Sequence, residues 1–243
     1  MSLIITLYVR EGIVMASDSR LSLNVQQESP QGQSVLLSVG QSDSNYKTFL
    51  TPTRVGISTC GAAEINGVPV AGYVESFIND IVAPKRLEVD QVAQETLKHF
   101  QSFTPSPAIM FHVAGYKAQK PSSDQQVWVV EVAKGSVQRV NPPGQQGASW
   151  SGEADILARL LQPVGQLDPA GKVVAQFPVH PIPWGFFTLQ DAIDFAIFAV
   201  RSTIDAIRFQ PRAKTVGGPI DVLVIKPTEA MWVQRKALRA TTS

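Results

Sequence analysis

Short runs of apolar and β-branched residues open the chain and predict a β-hairpin. Residues 4–9 and 13–16 form these runs, and residues 10–12, Arg-Glu-Gly, have the composition of a turn. Residues 22–46 are rich in Ser, Gln, Asn and Gly and show little periodicity. We therefore predict a long surface loop there, with a short strand at 35–37.

A second pair of strands and then two helices are predicted by the next hundred residues. Apolar runs at 47–50 and 55–59 predict the strands. Apolar residues then recur at helical spacing from 70 to 81, and Pro84 is expected to end that helix. The same spacing at 89–100 predicts a second helix, and a connection this short favours an antiparallel pair.

The two patterns alternate again in the second half of the chain. Apolar runs predict strands at 109–116, 127–132, 137–140, 220–225 and 231–233. A helix is predicted at 153–161, residues 163–187 are expected to be a loop rich in Pro and Gly, and Thr188 can cap a long helix with a buried stripe from Ile193 to Ile207. This order predicts an α+β fold with two sheets between helix layers, in one domain spanning 1–243.

Composition narrows the function classes. Lys and Arg total 21 against 20 for Asp and Glu, a net charge of +1, which provides no field to hold nucleic acid or an anionic membrane. Cys60 is the single cysteine, so neither an internal disulfide nor a cysteine-based zinc site is expected. We expect no cofactor and no metal. No apolar run reaches about 18 residues and no basic leader opens the chain, so a cytoplasmic protein is expected.

Three motifs together resemble a known family. Residues 9–20 read Val-Arg-Glu-Gly-Ile-Val-Met-Ala-Ser-Asp-Ser-Arg, residues 58–63 read Ser-Thr-Cys-Gly-Ala-Ala, and residues 216–222 read Val-Gly-Gly-Pro-Ile-Asp-Val. In this order and on these elements they resemble the proteasome β-type subunits, which are N-terminal-nucleophile hydrolases. The resemblance implies a four-layer αββα sandwich, a peptide or small amide substrate, and a homo-oligomer of which a ring is the family's arrangement.

The resemblance also implies a set of catalytic residues. Counting back from Asp18 in the family's spacing leads to Ser2, which removal of Met1 is expected to expose as the nucleophile. Its free α-amine would titrate near neutral pH and serve as the general base. The resemblance implies that Asp18 and Lys47 stand beside the nucleophile, that the Gly61 N–H stabilises the oxyanion, and that the Ser151 hydroxyl supports the α-amine.

Two departures from the family pattern leave a second hypothesis open. The family often has an Asp where this chain has Ala213, and the neighbouring Lys214 and Thr215 do not replace its charge. The nucleophile is Ser rather than Thr. The alternative is therefore a catalytically inactive subunit of the same fold with an assembly or scaffold role. Cys60 and His112 lie in apolar strands, where a small core residue and a structural histidine are expected.

Overall fold

The computed structural model of the protein describes residues 2–28, 34–118 and 123–238. Its strands are β1 Leu3–Val9, β2 Gly12–Ser17, β3 Leu21–Glu28, β4 Ser34–Ser42, β5 Thr48–Leu50, β6 Gly56–Gly61, β7 Glu64–Ile65, β8 Val68–Pro69, β9 Ile109–Lys117, β10 Asp124–Glu131, β11 Ser136–Arg139, β12 Gly147–Gly152, β13 Gly165–Leu167, β14 Val173–Gln176, β15 Asp221–Ile225 and β16 Ala230–Gln234. Its α-helices are α1 Val70–Phe77, α2 Ala83–Lys85, α3 Val89–Gln101, α4 Asp155–Leu161 and α5 Leu189–Arg208. A π-helical segment, Ile78–Val82, joins α1 to α2, and a 3₁₀ turn, Trp184–Phe186, precedes α5.

Two five-stranded antiparallel sheets contain most of the strands. The first has the order β12-β1-β2-β15-β16, and the second has the order β11-β10-β9-β6-β5. The predicted N-terminal hairpin lies at the centre of the first sheet, where Ile4 pairs with Ser17 on one side and with Ser151 on the other. The fold is therefore mixed α and β with antiparallel sheets, as the sequence predicted.

Both faces of β1 are buried, which explains its unbroken apolar sequence. Leu3, Ile5 and Leu7 pack in one core with α4 and α5. A second core lies between the two sheets and contains Tyr8, together with Met15 of β2, Leu223 of β15, Ala114 of β9 and Val127 of β10. A third core joins α1 and α3 to the strands of the second sheet.

The long helix α5 begins where the sequence predicted. The Thr188 hydroxyl accepts a hydrogen bond from the Asp191 N–H at 3.2 Å, and the Asp191 carboxylate accepts one from the Thr188 N–H at 2.8 Å. Its buried side chains run from Ala192 to Ile207 and pack against the first sheet. None of the described helices combines the length and apolar character needed to cross a membrane.

The prediction of a loop over 22–46 was wrong for most of that segment. Strands β3 and β4 pair there as an antiparallel hairpin, and the predicted short strand at 35–37 lies within β4. Residues 29–33, also part of the predicted loop, lie outside the described residues. The polar composition of the segment led to the loop prediction, although residues 21–26, Leu-Ser-Leu-Asn-Val-Gln, alternate apolar and polar side chains as strands do.

Three further predictions need correction. The segment predicted as a loop at 163–187 contains the β13–β14 hairpin and the 3₁₀ turn. Strand β12, Gly-Ala-Ser-Trp-Ser-Gly, was missed because glycine and, less strongly, alanine are depleted in strands. Pro84 does not end the first helical segment; it lies at the start of α2, where the missing N–H of proline is tolerated.

Candidate active site

Asp18 lies directly after β2 and is held by backbone groups from three segments. Its carboxylate accepts hydrogen bonds from the N–H groups of Leu3 at 3.1 Å, Arg20 at 3.0 Å and Gly217 at 3.0 Å. The residue is fully buried. A carboxylate with three such donors is fixed in one orientation, and it also fixes the backbone of Leu3, the residue that follows Ser2.

Lys47, just before β5, provides the fourth contact of that carboxylate. Its Nζ lies 2.8 Å from Asp18 Oδ1, and the Lys47 and Asp18 side chains are 3% and 0% exposed. Burial lowers the pKa of the Lys47 ammonium below its ordinary value, and the adjacent Asp18 carboxylate opposes that shift. The structure therefore joins two of the residues that the sequence predicted for the site.

A second buried ion pair lies nearby and was not predicted. Lys236 Nζ donates a hydrogen bond to Asp221 Oδ2, and both side chains are buried. The same ammonium lies 4.5 Å from the ring centroid of Tyr46, the residue before Lys47. The charge of Lys236 contributes to lowering the pKa of Lys47. Nothing in the local sequence near Lys236 indicates this neighbourhood.

Ser2, Lys47 and Gly61 line one narrow cavity, together with Thr59 and Cys60. Its volume is about 20 Å³, space for about one water molecule. Ser2 is 7% exposed. Met1, whose removal would free the Ser2 α-amine, lies outside the described residues.

The backbone of Ser2 is positioned by the end of β12. The Ser2 carbonyl accepts a hydrogen bond from the Glu153 N–H at 2.8 Å. Gly152 has φ +96°, and a Cβ at that position would lie 1.8 Å from the Ser2 oxygen. Only glycine allows the two backbones to approach this closely, so the Gly that follows Ser151 sets the place of Ser2.

Gly61 ends β6 with φ +110°. A Cβ at this residue would lie 2.3 Å from the carbonyl oxygen of Ala108. The close pairing of β6 with the segment before β9 is therefore a structural reason for glycine here, independent of any role toward an oxyanion.

Ser151 lies on β12 next to β1, but its hydroxyl is engaged by a histidine. His112 Nε2 lies 2.9 Å from Ser151 Oγ, and His112 Nδ1 lies 3.0 Å from Thr6 Oγ1. Complete burial lowers the pKa of His112 to about 4, so the ring is neutral at pH 7. These buried hydrogen bonds link the two sheets, so His112 has the structural role that the sequence predicted.

Thr59 and Cys60, neighbours on β6 that also line the cavity, differ in chemistry. Thr59 is buried. Its Oγ1 has no hydrogen-bond partner among the described residues, which is uncommon for a buried hydroxyl. Burial raises the pKa of the Cys60 thiol to about 12, which keeps it protonated and unreactive. Cys60 is confirmed as a small core residue, whereas Thr59 was missed.

The segment around Ala213 receives a carboxylate from a different element. Glu153 Oε1 lies 3.0 Å from Arg212 Nη1, and Glu153 Oε2 accepts a hydrogen bond from the Thr215 hydroxyl at 2.8 Å. The N–H of the same Glu153 binds the Ser2 carbonyl. The fold thus brings the Glu153 carboxylate into contact with Arg212 and Thr215, on either side of Ala213.

The cavity is lined by a residue with a hydroxyl, Ser2, by the buried Lys47 ammonium paired with Asp18, and by the backbone of Gly61. Acyl transfer through a nucleophile uses groups of these kinds. No cluster of three or more His, Cys, Asp or Glu side chains suited to a metal ion occurs in the described part of the chain. No family model and no curated protein sequence matches the chain.

Proposed function

We propose that this protein is a proteasome-like N-terminal-nucleophile hydrolase that cleaves an amide or peptide bond through Ser2. The observation that carries the proposal is the buried Lys47–Asp18 pair, with Lys47 lining the same cavity as Ser2 and Gly61. The three cores, one between the sheets and one beneath each group of helices, support assignment of the fold to the four-layer αββα sandwich of that family.

In the proposed reaction, removal of Met1 leaves Ser2 with a free α-amine. The amine takes the hydroxyl proton as Ser2 Oγ attacks the carbonyl carbon, and the Gly61 N–H stabilises the resulting oxyanion. The proton then passes to the leaving amine as the C–N bond breaks. Water, deprotonated by the same α-amine, releases the acyl group from Ser2.

Lys47 acts in this scheme through its charge. An ammonium at the cavity wall favours the alkoxide form of a nearby hydroxyl, and its own desolvation makes that field stronger than it would be in water. Asp18 holds the ammonium and, through the Leu3 N–H, the backbone next to Ser2. One carboxylate thus positions both groups.

A second candidate function, an inactive subunit with an assembly role, is favoured by different observations. The cavity has space for about one water molecule, the Ser151 hydroxyl is hydrogen bonded to His112, and Ala213 carries no charge.

Whether the protein is an enzyme or an inactive subunit, we propose that it forms a homo-oligomer. All residues of strands β13 and β14 are exposed. A two-stranded hairpin without further packing is marginal in water, so we propose that a second copy covers it.

Intact-mass measurement and labelling distinguish the two functions. We expect the untagged protein to lack Met1 and to gain one acyl group from a peptide β-lactone. Ser2→Ala should also lose Met1, because alanine is as small, but it should gain no acyl group. Ser102→Ala is the matched control, because Ser102 is exposed at the end of α3 and does not line the cavity, and it should label like the wild type.

Retention of Met1 would refute the enzymatic proposal, since an extended amine cannot act as the base. Equal labelling of Ser2→Ala and the wild type would refute the assignment of Ser2. Removal of Met1 without any labelling would favour the inactive subunit.

A further inference from the structure

A larger cleft lies at the opposite end of the first sheet from Ser2. Its volume is about 570 Å³, within the range of roughly 300–1,000 Å³ that small-molecule sites occupy. Strand β15 runs from Asp221, paired with Ser17 near the candidate active site, to Ile225, paired with Ile13. Pro227, two residues beyond that end, lines the cleft. The cleft shares no lining residue with the cavity at Ser2.

Two arginines line this cleft, and both have unusual backbone conformations. Arg54, in the turn between β5 and β6, has φ 61°, and Arg86, which ends α2, has φ 49°. These left-handed conformations favour Gly or Asn, because other side chains meet the backbone there. The other non-glycine residue with positive φ in the described part of the chain is Asn66, a type that tolerates it and does not line the cleft.

Neither guanidinium is occupied by the protein itself. No ion pair or side-chain hydrogen bond engages Arg54 or Arg86 within the described ranges, and both residues are exposed. Glu88 is the one acidic residue among the described residues of the cleft, and its backbone N–H donates a hydrogen bond to Gln91 Oε1 at 3.0 Å. The described lining therefore carries two unpaired positive charges and one negative charge.

The two arginine-bearing turns are fastened together. The Thr53 hydroxyl donates a hydrogen bond to the Leu87 carbonyl at 2.9 Å, and these residues are the direct neighbours of Arg54 and Arg86. Their separation is thus set by the fold and does not depend on either arginine side chain. The lining also includes apolar residues, with Val55, Leu87 and Pro227 among them.

We propose that this cleft binds a small organic anion whose carboxylate or phosphate group pairs with Arg54 and Arg86. A guanidinium presents a planar pair of N–H donors that matches both oxyanions. The apolar residues of the lining can contact the carbon skeleton of such a ligand. Glycine would fit the backbone better at both positions. A role of the side chains in binding a ligand explains why arginine is present instead. This proposal does not depend on the proposed hydrolase activity.

Thermal unfolding in the presence of anions tests the proposal. Inorganic phosphate and citrate are added separately to the wild type, each against sodium chloride at the same ionic strength. We expect one of them to raise the Tm by about 3 °C or more beyond chloride at ten times its Kd. A response to phosphate alone would assign a phosphate ligand, and a response to citrate alone would assign a carboxylate.

Exchange of both arginines for glycine separates binding from folding. Arg54→Gly with Arg86→Gly should melt at the wild-type temperature or higher, since glycine relieves the left-handed backbone, and should show no anion-specific rise. Asn66→Gly, the matched control with the same backbone conformation away from the cleft, should keep the full rise. The proposal is overturned if the wild type responds to neither anion beyond chloride, if the double variant keeps the rise, or if that variant is markedly less stable, which would mean that the arginines serve the fold.

Discussion

Exchanging Asp18 for Asn should destabilise the protein more than exchanging Lys47 for Met, although each change removes the same ion pair. The Asp18 carboxylate accepts hydrogen bonds from Lys47 and from the N–H groups of Leu3, Arg20 and Gly217. Without Lys47, three of the four donors still reach it. With Asn at position 18, half of the side chain is an NH₂ group, and two of the four donors face that group in either orientation.

The magnitudes follow from what each change leaves unpaired. Lys47→Met should cost about 1–3 kcal/mol, since the carboxylate keeps its backbone donors and methionine fills most of the space. Asp18→Asn should cost about 3–5 kcal/mol. The buried ammonium loses its carboxylate in either orientation of the amide. The NH₂ group faces either the two backbone N–H groups of Arg20 and Gly217 or the Leu3 N–H and the ammonium. The double variant should cost less than the sum of the two, because it removes the unpaired ammonium.

Urea denaturation followed by circular dichroism at pH 7 measures these free energies of unfolding. Labelling by the β-lactone, measured on the same samples, should be lost in both single variants. If Lys47→Met is at least as destabilising as Asp18→Asn, the three backbone contacts do not hold the carboxylate as argued. If Lys47→Met labels as fast as the wild type, the ammonium has no part in activating Ser2.

Three further predictions test other parts of the structure. His112 has its ordinary pKa of 6.5 in the unfolded chain, and burial lowers that pKa to about 4 in the folded chain. The free energy of unfolding present above pH 6.5 should therefore fall by about 3 kcal/mol as the pH drops to 4. His112→Gln should lack that part of the loss, and an equal pH dependence in the variant and the wild type would contradict the prediction. Gly152→Ala should lower the free energy of unfolding by about 2–4 kcal/mol and slow Ser2 labelling, because the new methyl group displaces the Ser2 carbonyl. A variant that is as stable as the wild type and labels as fast would refute this role of glycine. Sedimentation should show an oligomer at micromolar concentration that Leu167→Glu in the β13–β14 hairpin weakens, whereas a 26.3 kDa monomer throughout would exclude self-association.

The candidate site was only partly accessible to sequence reasoning. Asp18 and Gly61 were predicted from motifs that contain them, and Lys47 from the alignment that the resemblance implies. The structure brings Lys47 to Asp18 and, with Gly61, to the cavity at Ser2. Thr59 was missed because a threonine in a strand has no distinguishing pattern. Its exposure to a cavity, and the lack of a hydrogen-bond partner, depend on what packs opposite it.

Glu153 and Lys236 were missed for a related reason. Glu153 contacts Arg212 from 59 positions away, and Lys236 lies beside Tyr46, from which it is separated by 190 positions. The sequence around a charged residue does not show whether its side chain faces solvent or contacts a side chain from a distant segment.

The local elements of this protein follow from its sequence alone. The hairpin β1–β2, the helix α3 and the capped helix α5 result from apolar periodicity, turn residues and N-terminal caps, which act over a few neighbouring positions. The pairing of β12 with β1 and the convergence on Asp18 of donors up to 199 positions away depend instead on the tertiary structure. These contacts arise from the packing of sheets and from hydrogen bonds between distant segments, and neither leaves a periodic trace in the residues that make them.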